Sequence, residues 1–98
     1  MNITQKREGN TLMLALEGRL DTSSSPELET LLAASLDGVT ELIFDFAKLE
    51  YLSSAGLRVI LTCQKRMKKQ GSMKLLNVNK SIKVVFDITG FSDFLVME

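Results

Sequence analysis

Ninety-eight residues suffice for one domain with a real core and not for two, so a single unit spanning 1–98 is expected. Twelve basic and twelve acidic side chains cancel, which argues against a nucleic-acid partner, and the absence of histidine removes the commonest general base and metal ligand. One cysteine cannot form an internal disulfide, no signal-peptide pattern opens the chain, and the longest apolar run, Leu12–Leu16, is far too short to span a bilayer. A cytoplasmic protein without membrane insertion is expected.

Residues 2–7 and 11–17 flank Glu8-Gly9-Asn10, a tight-turn sequence, and predict a β-hairpin. Leu12, Leu14 and Leu16 alternate on one face of its second strand. Met13 and Ala15 are apolar too, so this strand is expected to be covered on both sides or nearly so. Gly18-Arg-Leu-Asp21 leads into Thr22-Ser-Ser-Ser-Pro26, where Ser25 is the expected helix cap and Pro26 the first helical residue. Leu28, Leu31, Leu32 and Leu36 recur at helical spacing until Asp37-Gly38 stops the helix. On the sequence alone, Asp21 and its serines organise a turn as readily as they serve a partner.

Residues 42–46 form a short apolar run around Asp45 and predict a strand, with Asp45 at its carboxyl end bonding loop amides. A short connection then leads to a helix in which Leu57, Ile60, Leu61 and Met67 share a stripe widened by Val59 and Cys63. Ser53 is the expected N-cap. Ser54 falls at the first helical position, its hydroxyl pointing out of the helix mouth, where unpaired N–H groups and the dipole welcome an anion. A phosphate there would add about −1.5 to −2 charges to the surface without disturbing the fold. Gly56 allows close approach of another backbone. Lys65, Arg66, Lys68 and Lys69 cluster late in this helix, and Asp21, Glu27 and Glu29 lie around the start of the earlier one; both placements suit the helix dipole.

Gln70-Gly71 closes the helix, and residues 72–78 give the next strand. Asn79 or Ser81 is expected to cap a helix burying Ile82, Val85 and Phe86, ended by Thr89-Gly90. Residues 94–97 supply a final apolar run, read as an edge strand. The order β-β-α-β-α-β-α-β implies right-handed crossovers and an α/β fold, a four- to five-stranded mixed sheet with helices packed against it. No Gly-rich phosphate loop and no companion carboxylate for Asp45 are present, so neither nucleotide nor metal binding is expected.

Leu49-Glu-Tyr-Leu-Ser-Ser-Ala-Gly-Leu-Arg-Val-Ile-Leu61 resembles the signature of STAS domains, the bacterial anti-sigma factor antagonists. Their usual pattern is a hydrophobic strand with Asp, then Asp-Ser-Ser-Gly-Leu opening a helix. The Gly-x-Leu-Asp segment at 18–21, the Asn-Val strand end and the Thr-Gly turn extend the similarity over roughly residues 11–97. The family's phosphorylated serine maps onto Ser54, with Ser53 the second choice; Ser53 stands where the family carries Asp, and Ala55 where it carries Ser. The resemblance implies no enzyme activity and no cofactor, ATP being supplied by a partner, an anti-sigma factor serine kinase. A serine phosphatase is a second candidate partner. It implies a partner surface made of Asp21, Thr22, Ser23, Ser53, Ser54, Ala55, Gly56 and Arg58. The alternative it leaves open is a non-phosphorylated STAS scaffold subunit of a transporter or larger signalling complex. Nothing in the sequence sets an oligomeric state.

Overall fold

In the computed structural model, which describes residues 1–98, strands β1 (Asn2–Glu8) and β2 (Thr11–Leu20) pair antiparallel across Gly9-Asn10. There follow α1 (Ser25–Ser35), β3 (Glu41–Leu52), α2 (Ser54–Gln70), β4 (Ser72–Leu76), α3 (Lys80–Ile88), a 3-10 turn at Phe91–Phe94 and a two-residue edge strand, β5 (Val96–Met97). The five strands lie in the order β1-β2-β3-β4-β5, and every pair after the hairpin is parallel. Three successive strand–helix–strand crossovers step in one direction across the sheet. With a constant hand, such steps put all three helices on one face.

That one-sidedness corrects the expectation for β2. Leu12, Leu14, Leu16 and Leu20 are sealed beneath the helices, whereas Met13 and Ala15 on the opposite face are only half-buried. The core joins these leucines to Leu28 and Leu32 of α1, Ile60, Cys63 and Met67 of α2, and Ile82 and Phe86 of α3. Phe44, Phe46 and Phe86 are its largest fully buried side chains, each stabilising the fold by roughly 1.5–3 kcal/mol through removal from water.

β3, at 12 residues, is more than twice as long as the apolar run 42–46 suggests. Two bulges explain why. Asp45 pairs with Ala15 but Lys48 with Glu17, and Leu49 with Gly18 but Tyr51 with Arg19, so each step inserts one extra residue into β3. On the helix-covered face the buried residues accordingly shift from alternation (Leu42, Phe44, Phe46, with Ile43 also buried between them) to every third position (Leu49, Leu52), which hides a strand from a period-2 reading. β4 stops at Leu76 rather than 78 because Asn77 turns left-handed, with φ 57°. Asn79 caps α3, its Oδ1 accepting from Ile82 N at 2.9 Å while its Nδ2 donates to Leu49 O at 3.1 Å. No helix is long and apolar enough to cross a membrane.

Candidate functional site

The bulged end of β3 delivers the chain to α2 in a defined way. Leu52 is buried, Ser53 is extended (φ −88°, ψ 173°), and α2 begins at Ser54. The Ser53 hydroxyl accepts from Gly56 N at 3.3 Å, closing the first turn as an N-cap. The Ser54 side chain is exposed and makes no hydrogen bond within the chain. Of the two hydroxyls, one is therefore committed to the helix and the other faces solvent at its positively polarised end.

The second segment reaches the same place through the main chain. Ser53 N donates to Leu20 O at 2.9 Å, and Leu20 pairs with Leu52. A Cβ on Gly56 would lie 2.6 Å from Leu20 Cγ and 2.9 Å from Leu20 O. The close approach expected at Gly56 is thus to the chain's own β2 end, and Gly56 is buried, so it does not present itself at the surface as the expectation for a partner contact required.

Residues 21–25 follow immediately. Asp21 Oδ1 accepts from Ser23 N at 3.0 Å, Ser23 Oγ at 2.7 Å and Ser24 N at 3.2 Å. The Ser23 hydroxyl and the Ser24 amide hold its carboxyl below the ordinary 3.8, the hydroxyl having the larger effect. The helix cap is Ser24, not Ser25, and neither hydroxyl caps. Ser24 Oγ donates to Arg19 O at 2.7 Å and Ser25 Oγ to Asp21 O at 2.6 Å, so Ser24 fastens the loop to the strand and Ser25 closes the loop on itself. Both are buried, which leaves Thr22 and Ser23 exposed and Asp21 half-exposed.

The loop that holds Asp21, Thr22 and Ser23 thus leaves the sheet at Leu20, the residue whose carbonyl accepts from Ser53 N at the start of α2. Ala55 is half-buried, and Arg58, one helical turn after Ser54, is exposed. Asp45 does not join them. It sits mid-strand on the open face of the sheet, where Oδ1 accepts from Ala47 N and from Asn77 Nδ2, both at 2.9 Å, and it steadies the first bulge. The expectation that it lies at the strand's carboxyl end fails because β3 runs on to Leu52.

Sequence reasoning missed one feature of this rim. The Arg19 guanidinium lies 4.2 Å from the centre of the Tyr51 ring, and Arg19 Nε is 3.8 Å from Asp21 Oδ2. Arg19 and Tyr51 are direct cross-strand partners only because of the second bulge, so no spacing in the sequence pairs them. No cluster of three or more His, Cys, Asp or Glu side chains is gathered at any point.

A comparison with protein families matches the STAS domain over residues 2–98. The chain belongs to the STAS domain family. Over 93 residues it is 34% identical to BtrV of Bordetella bronchiseptica, provisionally named an anti-sigma factor antagonist, covering 93% of this chain and 80% of that one. It is 31% identical over 96 residues to the anti-sigma-B factor antagonist of Bacillus subtilis, covering 97% of this chain and 88% of that one. Among solved structures, the unphosphorylated anti-sigma factor antagonist SpoIIAA superposes with a TM-score of 0.86 at 20% identity, over 99% of this STAS domain and 88% of that chain. The phosphorylated form of SpoIIAA from Bacillus superposes at 0.79, also at 20% identity, over 99% of this domain and 91% of that chain. The five-stranded mixed sheet with three helices is therefore the STAS fold.

Proposed function

We propose that this STAS domain is an anti-sigma factor antagonist, a binding module switched by phosphorylation rather than an enzyme. The unphosphorylated start of α2 and the Asp21–Ser25 loop dock on an anti-sigma factor with serine-kinase activity, which then releases its sigma factor. Phosphate on Ser54 ends docking by charge repulsion and by the cost of desolvating the phosphate. The observation that carries this reading is the division of labour at the helix start. Ser53 is held by its cap bond while the neighbouring Ser54 hydroxyl stands free and exposed. Names of relatives at 34% and 31% identity support it, as does a phosphorylated state known for SpoIIAA.

Ser53 in place of the family's Asp bears on the scaffold alternative. Ser and Asp serve about equally as N-caps, and Ser53 performs that task, so the replacement keeps the helix start and removes only a charge beside Ser54. Incubation with the anti-sigma factor kinase and ATP, followed by mass spectrometry of the Ser53–Leu57 peptide, tests the switch. Phosphate is expected on Ser54. Ser54→Ala should bind without accepting phosphate, and Ser54→Asp should weaken binding by ~3 kcal/mol, about two tenfold steps. Phosphate incorporated into Ser54→Ala, or tight binding by Ser54→Asp, would overturn the assignment. Co-purification with a transporter in place of a kinase would favour the scaffold.

A further inference from the structure

α2 carries a second surface on the stripe that begins at Ser54. Ser54, Arg58, Leu61, Lys65 and Lys68 are spaced alternately by four and three residues, which keeps them along one side of the helix. From Leu61, about 10 Å beyond Ser54 along the axis, this side borders a groove of about 640 Å³ whose far wall is the 3-10 turn at Phe91–Phe94. Gln64 Nε2 ties the walls together by donating to Phe94 O at 2.8 Å, while Gln64 Oε1, shut away from solvent, has no donor.

The groove is apolar within and cationic along its helix edge. Phe94 is 65% exposed, beside half-buried Leu61 and Phe91. Lys65 and Lys68 of its lining, and Arg58 just before it on the same stripe, are exposed, and none is among the cations that form ion pairs. Asp93 is the single carboxylate in the lining. Interaction with the helix dipole accounts for Lys68 in the last turn. It accounts neither for Arg58 in the second turn nor for a phenylalanine left in water beside the lysines.

We propose that the groove between α2 and the 3-10 turn takes an acidic segment, anchored by an apolar side chain, of the same anti-sigma factor that docks at Ser54. The inference rests on the function proposed above and adds a contact that phosphate on Ser54 does not touch. Charge complementarity selects an acidic segment, Phe94 and Leu61 receive its anchor, and the continuous stripe lets one partner cover both places.

Titration calorimetry of the full chain against the anti-sigma factor, at low and moderate salt, tests this. The double variant Lys65→Glu/Lys68→Glu should lose at least tenfold in affinity and most of the salt dependence. Phe94→Ser should lose a similar factor while keeping the salt dependence. All three side chains are exposed, so Phe94→Ser should melt like the parent chain, and the double variant should melt only slightly lower, by the dipole contribution of Lys68. A footprint by amide chemical shifts gives a readout without substitution, in which the partner should perturb Leu61, Gln64 and Phe91. Variants binding within twofold of the parent, or an unperturbed footprint, would overturn the groove; if Ser54→Asp still weakened binding by about two tenfold steps, the Ser54 switch would stand. A parent chain that fails to bind the anti-sigma factor overturns both.

Discussion

Replacing Gly56 by alanine tests the joint between the fold and the candidate site. In a free helix the change is favourable by up to about 1 kcal/mol, because glycine loses more backbone entropy. Here the added methyl would lie 2.6 Å from Leu20 Cγ, 3.0 Å from Leu20 Cδ2 and 2.9 Å from Leu20 O. Leu20 is fully buried and cannot swing aside, and its carbonyl also accepts the Ser53 amide at 2.9 Å. Overpacking of this kind costs about 1–3 kcal/mol, and stretching the Ser53 bond adds part of the ~1 kcal/mol such a bond contributes. The net expectation is a destabilisation of about 1–2 kcal/mol. For a domain of this size that lowers the melting temperature by roughly 5–15 °C. Thermal melting by circular dichroism measures the loss, and hydrogen exchange at the Ser53 amide should show weaker protection. A variant melting at or above the parent, with Ser53 protection intact, would refute the claim that β2 and α2 are fitted together through this glycine.

Asp21→Ala should free the Ser23 and Ser24 amides and speed their exchange while leaving the core amides unchanged. Because the Asp21 carboxyl titrates below its ordinary 3.8, its hold on the loop is complete above that pH and is lost as pH falls through the lowered value. Burial pushes the Cys63 thiol from 9.0 up to about 12. It should resist a disulfide reagent at neutral pH until the chain unfolds. Since the folded state keeps its thiol proton over that interval, stability should fall as pH rises from about 9 towards 12, and Cys63→Ala should flatten the slope.

Legibility in the sequence followed the range of the interaction. The caps at Ser53 and Asn79, the Gly9-Asn10 turn and the stripe of α2 depend on neighbours within a few residues, and these were readable. The cap of α1 falls one residue earlier than the sequence predicts, because Ser24 and Ser25 turn their hydroxyls to Arg19 O at the end of β2 and to Asp21 O in the loop that follows it.

The sequence by itself determined the order of elements, the leucine faces that drive their collapse, and the exposed serine at the start of α2. Periodicity and capping are properties of a local segment, and each is written within a turn or two of helix or strand. Only the tertiary structure decided that β3 runs on to Leu52, that Asp45 lies mid-strand and bonds Asn77, that Arg19 meets Tyr51, and that Phe94 closes a groove against α2. Those outcomes hang on bulges and on contacts between segments about 30 residues apart. Cross-strand register and shape fit are set when the whole sheet forms, and no local pattern contains them.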